Sequence, residues 1–190
     1  MPVVAKQKEL AYRLDDNGSK VITAERRGDY YRSSNGSIMN TWTTIVDGRR
    51  VGPTRTAFLN AGTGKHYSIN HGAQKVRLLH QMSTPILPQQ INVEATVGEA
   101  VINGVECVGL KVLVNGKPTK GVTWVSVPYD LDVKLEFPMP NGQWVVKELY
   151  DIKFTEPPPS KMRFPSDYKI DQSECRGCGN SPPELDPARK

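Results

Sequence analysis

The residues spaced for redox or metal chemistry are Cys175-Arg176-Gly177-Cys178, near the end of the 190-residue chain. A tetrahedral zinc site needs four ligands, supplied by two such pairs or by one pair with two histidines. Here His66, His71 and His80 lie far upstream and share no ligand spacing. A redox-active C-x-x-C opens a helix after a strand, whereas this one lies in a stretch of Ser, Gly, Pro and charge. Cys175 and Cys178 therefore read as a local disulfide or as two inert thiols. Metal ligation and a dimer contact are the weaker alternatives. The third cysteine, Cys107, falls mid-strand, where a thiol packs as a small hydrophobe. Gly62-x-Gly64 lacks both the Lys-Ser/Thr spacing and the following helix of a phosphate loop, and reads as a hairpin tip. No G-x-S-x-G or comparable nucleophile motif occurs, and Asp15-Asp16 stands where Asp favours a turn for backbone reasons. The expectation is a protein that is not an enzyme and carries no cofactor or resident metal.

What remains is binding chemistry. Trp42, Trp124, Trp144, Tyr150 and Phe154 are candidates to line an apolar ligand cavity, because concave sites combine greasy walls with a few polar anchors. Lys111 is the candidate anchor. It interrupts the apolar strand Val105–Val114 and would reach for water, an acid or an anionic headgroup. Ordinary core packing is the competing reading for the aromatic residues.

The elements that must position these residues are strands. Asn103-Gly104, Asn115-Gly116 and Asn141-Gly142 punctuate the run from Val101 to Phe154, and Asn-Gly tolerates the positive φ of a type I′ hairpin turn. Between the turns the pattern has period two. Val133, Leu135 and Phe137 oppose Asp132, Lys134 and Glu136. Trp144, Val146, Tyr150, Ile152 and Phe154 oppose Lys147, Asp151 and Lys153. In the first half, strands are expected from about Lys8, over Ser19–Arg26, Asp29–Ser33, Ile38–Val46, Thr54–Asn60, Lys65–Asn70 and Gln74–Leu79, with a loop at Arg49–Pro53. Met82–Gln90, with two prolines, reads as a crossover within one domain. Met162–Ile170 reads as a final edge segment.

The count is ten or eleven short strands with no firm 3.6-residue periodicity, which predicts a mainly β fold. The form expected is one strongly curved antiparallel sheet, an incomplete barrel with few or no long helices. Residues 1–170 form the domain and 171–190 a flexible Pro/Gly-rich tail. A sheet that large must curl, and its concave apolar face then needs loops, a partner chain or an apolar ligand to cover it.

The totals restrict function further. A net charge of +5 and a pI near 9.1 are mild, and the basic residues (Arg26-Arg27, Arg49-Arg50, Lys117, Lys120) are scattered. Scattered charge predicts solubility and weak attraction to anionic surfaces rather than a nucleic-acid site. No stretch reaches the length of a membrane-spanning helix, and Met1–Lys6 lacks the apolar core of an export signal.

Three segments together resemble the bacterial lipoprotein-carrier (LolA/LolB-like) proteins, especially their uncharacterised members. They are Gly64–Asn70 followed by Lys75-Val76-Arg77, then Gly104–Lys111, and finally Tyr150–Tyr168 with its Glu156-Pro157 and Pro165-x-x-Tyr168. The resemblance covers about residues 8–170. It implies an incomplete β-barrel around a cavity that receives acyl chains, without catalysis, in the periplasm or cell envelope. The expected partner is an apolar or acyl-chain ligand. The alternative is a protein partner or a second copy of the chain that buries the apolar sheet face.

Overall fold

The computed structural model describes residues 1–81, 96–114 and 117–171. These form one twelve-stranded sheet. β1 (Val3–Leu14), β2 (Lys20–Arg32), β3 (Ile38–Val46), β4 (Arg49–Asn60), β5 (Lys65–Asn70) and β6 (Lys75–Gln81) make the first half. β7 (Thr96–Ile102), β8 (Val105–Val114), β9 (Lys117–Ser126), β10 (Leu131–Pro138) and β11 (Trp144–Lys153) make the second, and β12 (Lys169–Asp171) ends the described chain. The strand order is β12-β6-β5-β4-β3-β2-β1-β11-β10-β9-β8-β7. All pairs are antiparallel except β12 on β6, which is parallel. Among the described residues the only helical pieces are 3-10 turns at Val127–Tyr129 and Pro159–Lys161. The fold is the open, curved, mainly β sheet expected, with β12 making the sheet mixed.

Two hydrogen-bond sets demonstrate the curvature. β2 and β10 are three steps apart, about 14 Å in a flat sheet at ~4.8 Å per step, beyond the reach of a side chain. Yet Arg32 on β2 donates from Nη1 to the Asp130 carbonyl and from Nη2 to the Tyr129 carbonyl, both at 2.5 Å. Asn103, at the β7–β8 turn, likewise donates to Glu148 Oε1 at 2.8 Å and to the Leu149 carbonyl at 2.7 Å. The sheet must roll back on itself for either contact to form.

The strand register differs from the expectation in four places. β1 begins at Val3, not near Lys8, because Val3–Ala5 pair with Arg32–Tyr30. β2 runs unbroken through Gly28, which is a site of close approach and not a break. A Cβ there would lie 1.7 Å from the Thr41 carbonyl oxygen on β3. β4 starts directly after the Asp47-Gly48 turn, and the expected loop Arg49–Pro53 is strand. Its proline stands at the register shift between Trp42 and Thr44, where the ladder needs no donor from it. The Asn141-Gly142 turn is not of the two-residue type. Gly142 N bonds the Met139 carbonyl at 3.0 Å and Met139 N bonds the Gln143 carbonyl at 2.6 Å, with only Gly142 at positive φ. Asn103-Gly104 does have both residues at positive φ, as a type I′ turn requires. The Asn115-Gly116 turn, the Met82–Gln90 crossover and the tail from residue 172 onward lie outside the described residues.

The sheet buries apolar surface on both faces. Since residues opposite one another across a ladder share a face, rows can be traced through the pairings. One row runs Val4–Tyr31–Met39–Phe58–Tyr67–Leu78 across β1 to β6. It is apolar throughout, and Met162, Phe164, Tyr168 and Ile170 of the C-terminal segment pack on its cluster. Phe164 meets Phe58 edge-on at 6.3 Å and Tyr67 at 5.5 Å between ring centroids. The expected edge segment is thus a strap sealing this face. The neighbouring residues Val3, Ala5 and Tyr30 point the other way and join Val105, Cys107, Leu131, Val133 and Leu149 in a second cluster. There Cys107 is a buried free thiol, pushed up in pKa by that burial.

Candidate functional site

Val133, Leu149 and the adjoining Tyr30 of the second cluster help floor a hollow of about 940 Å³ on the inner face of the curled sheet. One row across it reads Leu110–Thr123–Leu135–Lys147–Glu9–Arg26, from β8 to β2, and all six residues line the hollow. The chemistry changes along that row. The wall built by β8 to β10 is mainly apolar, with Leu110, Val112, Val133 and Leu135, although Lys111, Asp132 and Lys134 interrupt it. The facing wall is charged, with Glu9 bridged by Arg26 Nη1 at 2.7 Å and Lys147 Nζ at 3.3 Å. A neighbouring row, Ala5–Tyr30–Asn40–Ala57–Ser68, adds small and polar groups.

One end of the hollow is clamped by Arg32. The residue is buried, at 9% exposure, and its three guanidinium nitrogens donate to the backbone carbonyls of Met1, Tyr129 and Asp130. Beside it, burial pushes the Tyr30 phenol up to about 12, with Asp130 and Asp132 adding and Arg32 opposing. Tyr30 is therefore a neutral hydroxyl at any physiological pH. Asp132 is reached by solvent yet walled by protein on its other sides. Burial raises its pKa, Asp130 adds to the rise, and the Thr123 hydroxyl and Arg32 work against it. Asn40 Oδ1 is enclosed and makes no hydrogen bond among the described residues. A buried amide oxygen without a partner is unusual, and this one stands on the hollow's polar wall.

The expected ligand residues divide. Trp42 and Lys111 line the hollow, and Lys111 is exposed and makes no ion pair among the described residues. Trp124 packs against the floor cluster. Its indole touches the position where Gly109 would carry a Cβ, at 2.9 Å. Trp144 stacks on Tyr12 at 6.3 Å, Tyr150 pairs with Lys6, and Phe154 stacks on Tyr129 at 3.9 Å. These last three are not among the hollow's lining. Instead β11 presents Lys147 and Leu149, the opposite parity, to the inner side. The alternation read for this strand also breaks at Asp151, which adopts φ 51° where the register with β1 shifts. The row of charged and apolar partners is visible only in the pairing register, so no local pattern announces it. Cys175 and Cys178 lie outside the described residues. Among those described, no group of three or more His, Cys, Asp or Glu could hold a metal ion, and no helix is long and apolar enough to cross a membrane.

No protein-family model and no curated protein sequence matches the chain. Among solved structures the fold is similar to that of an uncharacterized conserved protein from Thermus thermophilus, at 10% identity over 88% of this chain and 90% of that one, TM-score 0.48. It is similar to a LolA superfamily protein from Nitrosomonas europaea, at 10% identity over 86% and 90%, TM-score 0.40. It is also similar to a putative outer membrane lipoprotein-sorting protein domain from Vibrio parahaemolyticus, at 9% identity over 81% and 85%, TM-score 0.35. At scores this low the likeness is one of form and carries nothing about cargo or compartment.

Proposed function

We propose that this chain is a non-catalytic binding protein that takes an acyl chain or similar apolar ligand into the hollow. The observation that supports it is a cavity of about 940 Å³ with one mainly apolar wall and one charged wall. That volume lies at the upper end of the ~300–1,000 Å³ usual for small-molecule sites. The split suits an amphiphile, its chain against Leu110, Val112 and Leu135 and its polar end toward Lys147, Glu9 and Arg26. Each buried methylene contributes about 0.8 kcal/mol, against an association cost of about 4–15 kcal/mol. Ten methylenes give about 8 kcal/mol before that cost, so short chains should not be held and long ones should. The reading takes residues 1–170 as the working unit. A site in the cell envelope is expected from the sequence alone.

The test is uptake of fluorescent fatty acids of increasing chain length by delipidated protein, with native mass spectrometry for retained adducts. Affinity rising with chain length and weakened by Trp42→Ala or Leu135→Asp is the expected result. If no chain length binds and sedimentation shows a dimer, the inner face is buried by a second copy instead, and ligand carriage is wrong.

A further inference from the structure

The end of the sheet opposite the Arg32 clamp has an unusual surface. The β1–β2, β3–β4 and β10–β11 hairpins all turn there, and β8 ends and β9 begins there, as the antiparallel order requires. Twelve large hydrophobic residues are exposed among those described, and seven of them are at this end: Leu14, Val21, Ile22, Val46, Val51, Leu113 and Met139. Leu14, Ile22, Val46, Val51 and Leu113 are each 49–58% exposed. Single exposed apolar residues need no explanation, but a concentration on adjacent hairpin tips does. The tips are also held side by side. Gln143 Nε2 of the β10–β11 turn donates to Thr23 Oγ1 on β2 at 3.2 Å.

Basic residues are interleaved with these tips. Arg13, Lys20, Arg49, Arg50, Lys117 and Lys120 lie on them, against Asp15, Asp16 and Asp47. Lys20 is engaged by Glu136 at 3.6 Å, whereas Arg13, Arg49, Lys117 and Lys120 make no ion pair among the described residues. Apolar tips ringed by such cations match the two layers of a lipid surface, greasy below and anionic above. A protein partner would be expected to meet a larger uncharged centre, since charged residues are depleted from the cores of protein interfaces.

We propose that this rim of hairpin tips docks on an anionic membrane surface. Val46, Val51, Leu14 and Ile22 enter the interface, and Arg49, Arg50, Lys117 and Lys120 meet lipid phosphates. The sheet axis then stands toward the membrane with the Arg32 clamp directed away from it. This docking does not depend on whether the hollow carries a ligand.

The experiment is co-sedimentation of the full chain with phosphatidylcholine vesicles containing about one quarter phosphatidylglycerol, beside vesicles of phosphatidylcholine alone. Binding to the anionic vesicles alone is expected, with release at about 1 M salt, where the screening length falls to about 3 Å. The double variant Arg49→Glu/Arg50→Glu should bind about tenfold more weakly or worse, and Val46→Ser/Val51→Ser should also lose binding. Val101→Ser/Val127→Ser, exposed residues at the other end, should bind as the unchanged chain does. All these positions are exposed, and an unaltered melting temperature checks the fold of each variant. The proposal is overturned if the anionic vesicles recover no protein or if the tip variants bind undiminished. It is equally overturned if those variants change only the sedimentation coefficient, which would show the tips meeting a second copy.

Discussion

The two apolar patches of this sheet are built from adjacent residues of the same strands, yet they meet opposite fates. Val4, Tyr31, Met39 and Phe58 lie under a strap of the chain's own C-terminal segment. Val3, Ala5, Tyr30 and Leu149 face inward, where the described residues supply only the β7–β8 turn and the Arg32 clamp, and a hollow remains. The difference is one of available cover. Residues 155–171 hold enough aromatic and aliphatic side chains for one face, and no α-helix among the described residues serves the other. The sealed patch should therefore govern stability, and the inner patch should govern binding.

The largest test of that contrast is Phe58→Ala. Removing a buried ring 7% exposed from the sealed patch should cost about 3–5 kcal/mol, read by urea denaturation, and should leave fatty-acid affinity unchanged in the folded fraction. Arg32→Ala comes next. Stranding buried carbonyls that a cation had satisfied costs about 3 kcal/mol, and ligand uptake should also fall because the clamp holds the curl. Equal stability of Arg32→Ala and the unchanged chain would show that the clamp does not matter. Tyr168→Phe removes the hydroxyl that meets His71 Nδ1 at 3.2 Å, and should cost about 1 kcal/mol and speed hydrogen exchange in β6 and β12. Trp42→Ala, half-buried on the hollow, should cost less stability than Phe58→Ala while weakening ligand binding most of the four. If Trp42→Ala and Phe58→Ala exchange these effects, the assignment of the two patches is reversed.

A smaller effect comes with pH. His71 bonds Thr56 Oγ1 through Nε2 at 2.9 Å, and burial holds its pKa below the ordinary 6.5. His66 is lowered too, by burial first and then by His80. A histidine that resists protonation only when folded leaves the unfolded chain binding more protons on the acid side. Stability should thus be full above pH 6.5 and should fall as pH drops below it through the folded-state pKa values. Melting temperatures of the unchanged chain and of His71→Gln, compared at neutral and mildly acidic pH, measure the effect. The substitution should flatten the dependence.

Much of this architecture is readable in the chain. The turn dipeptides and period-two runs locate most strands, Val133 and Leu135 are correctly paired on one face, and Met162–Ile170 is recognisable as an edge segment. What local pattern does not carry is which face is concave. Period two states that one side of a strand is dry. It does not say whether that side looks into the curl or out of it, and β2 is dry on both, through Tyr30 and Tyr31. β11 shows the consequence. Its aromatic parity, Trp144 and Tyr150, is not the one that lines the hollow, and a residue at positive φ breaks the alternation before Phe154. Gly28 and Pro53 likewise suggest breaks by type, but they are accommodated by contacts and register shifts with strands that the local sequence does not contain.

A closed barrel has its girth set by strand number and stagger. Here the strand order starts at β12 and stops at β7 with no bond joining them, so backbone pairing leaves the circumference unfixed. The hoop is drawn tight by side chains instead, by Arg32 gripping Tyr129 and Asp130 and by Asn103 gripping Glu148 and Leu149. A hoop laced by those four hydrogen bonds, and not welded by a ladder, leaves its girth free to change without breaking a single strand.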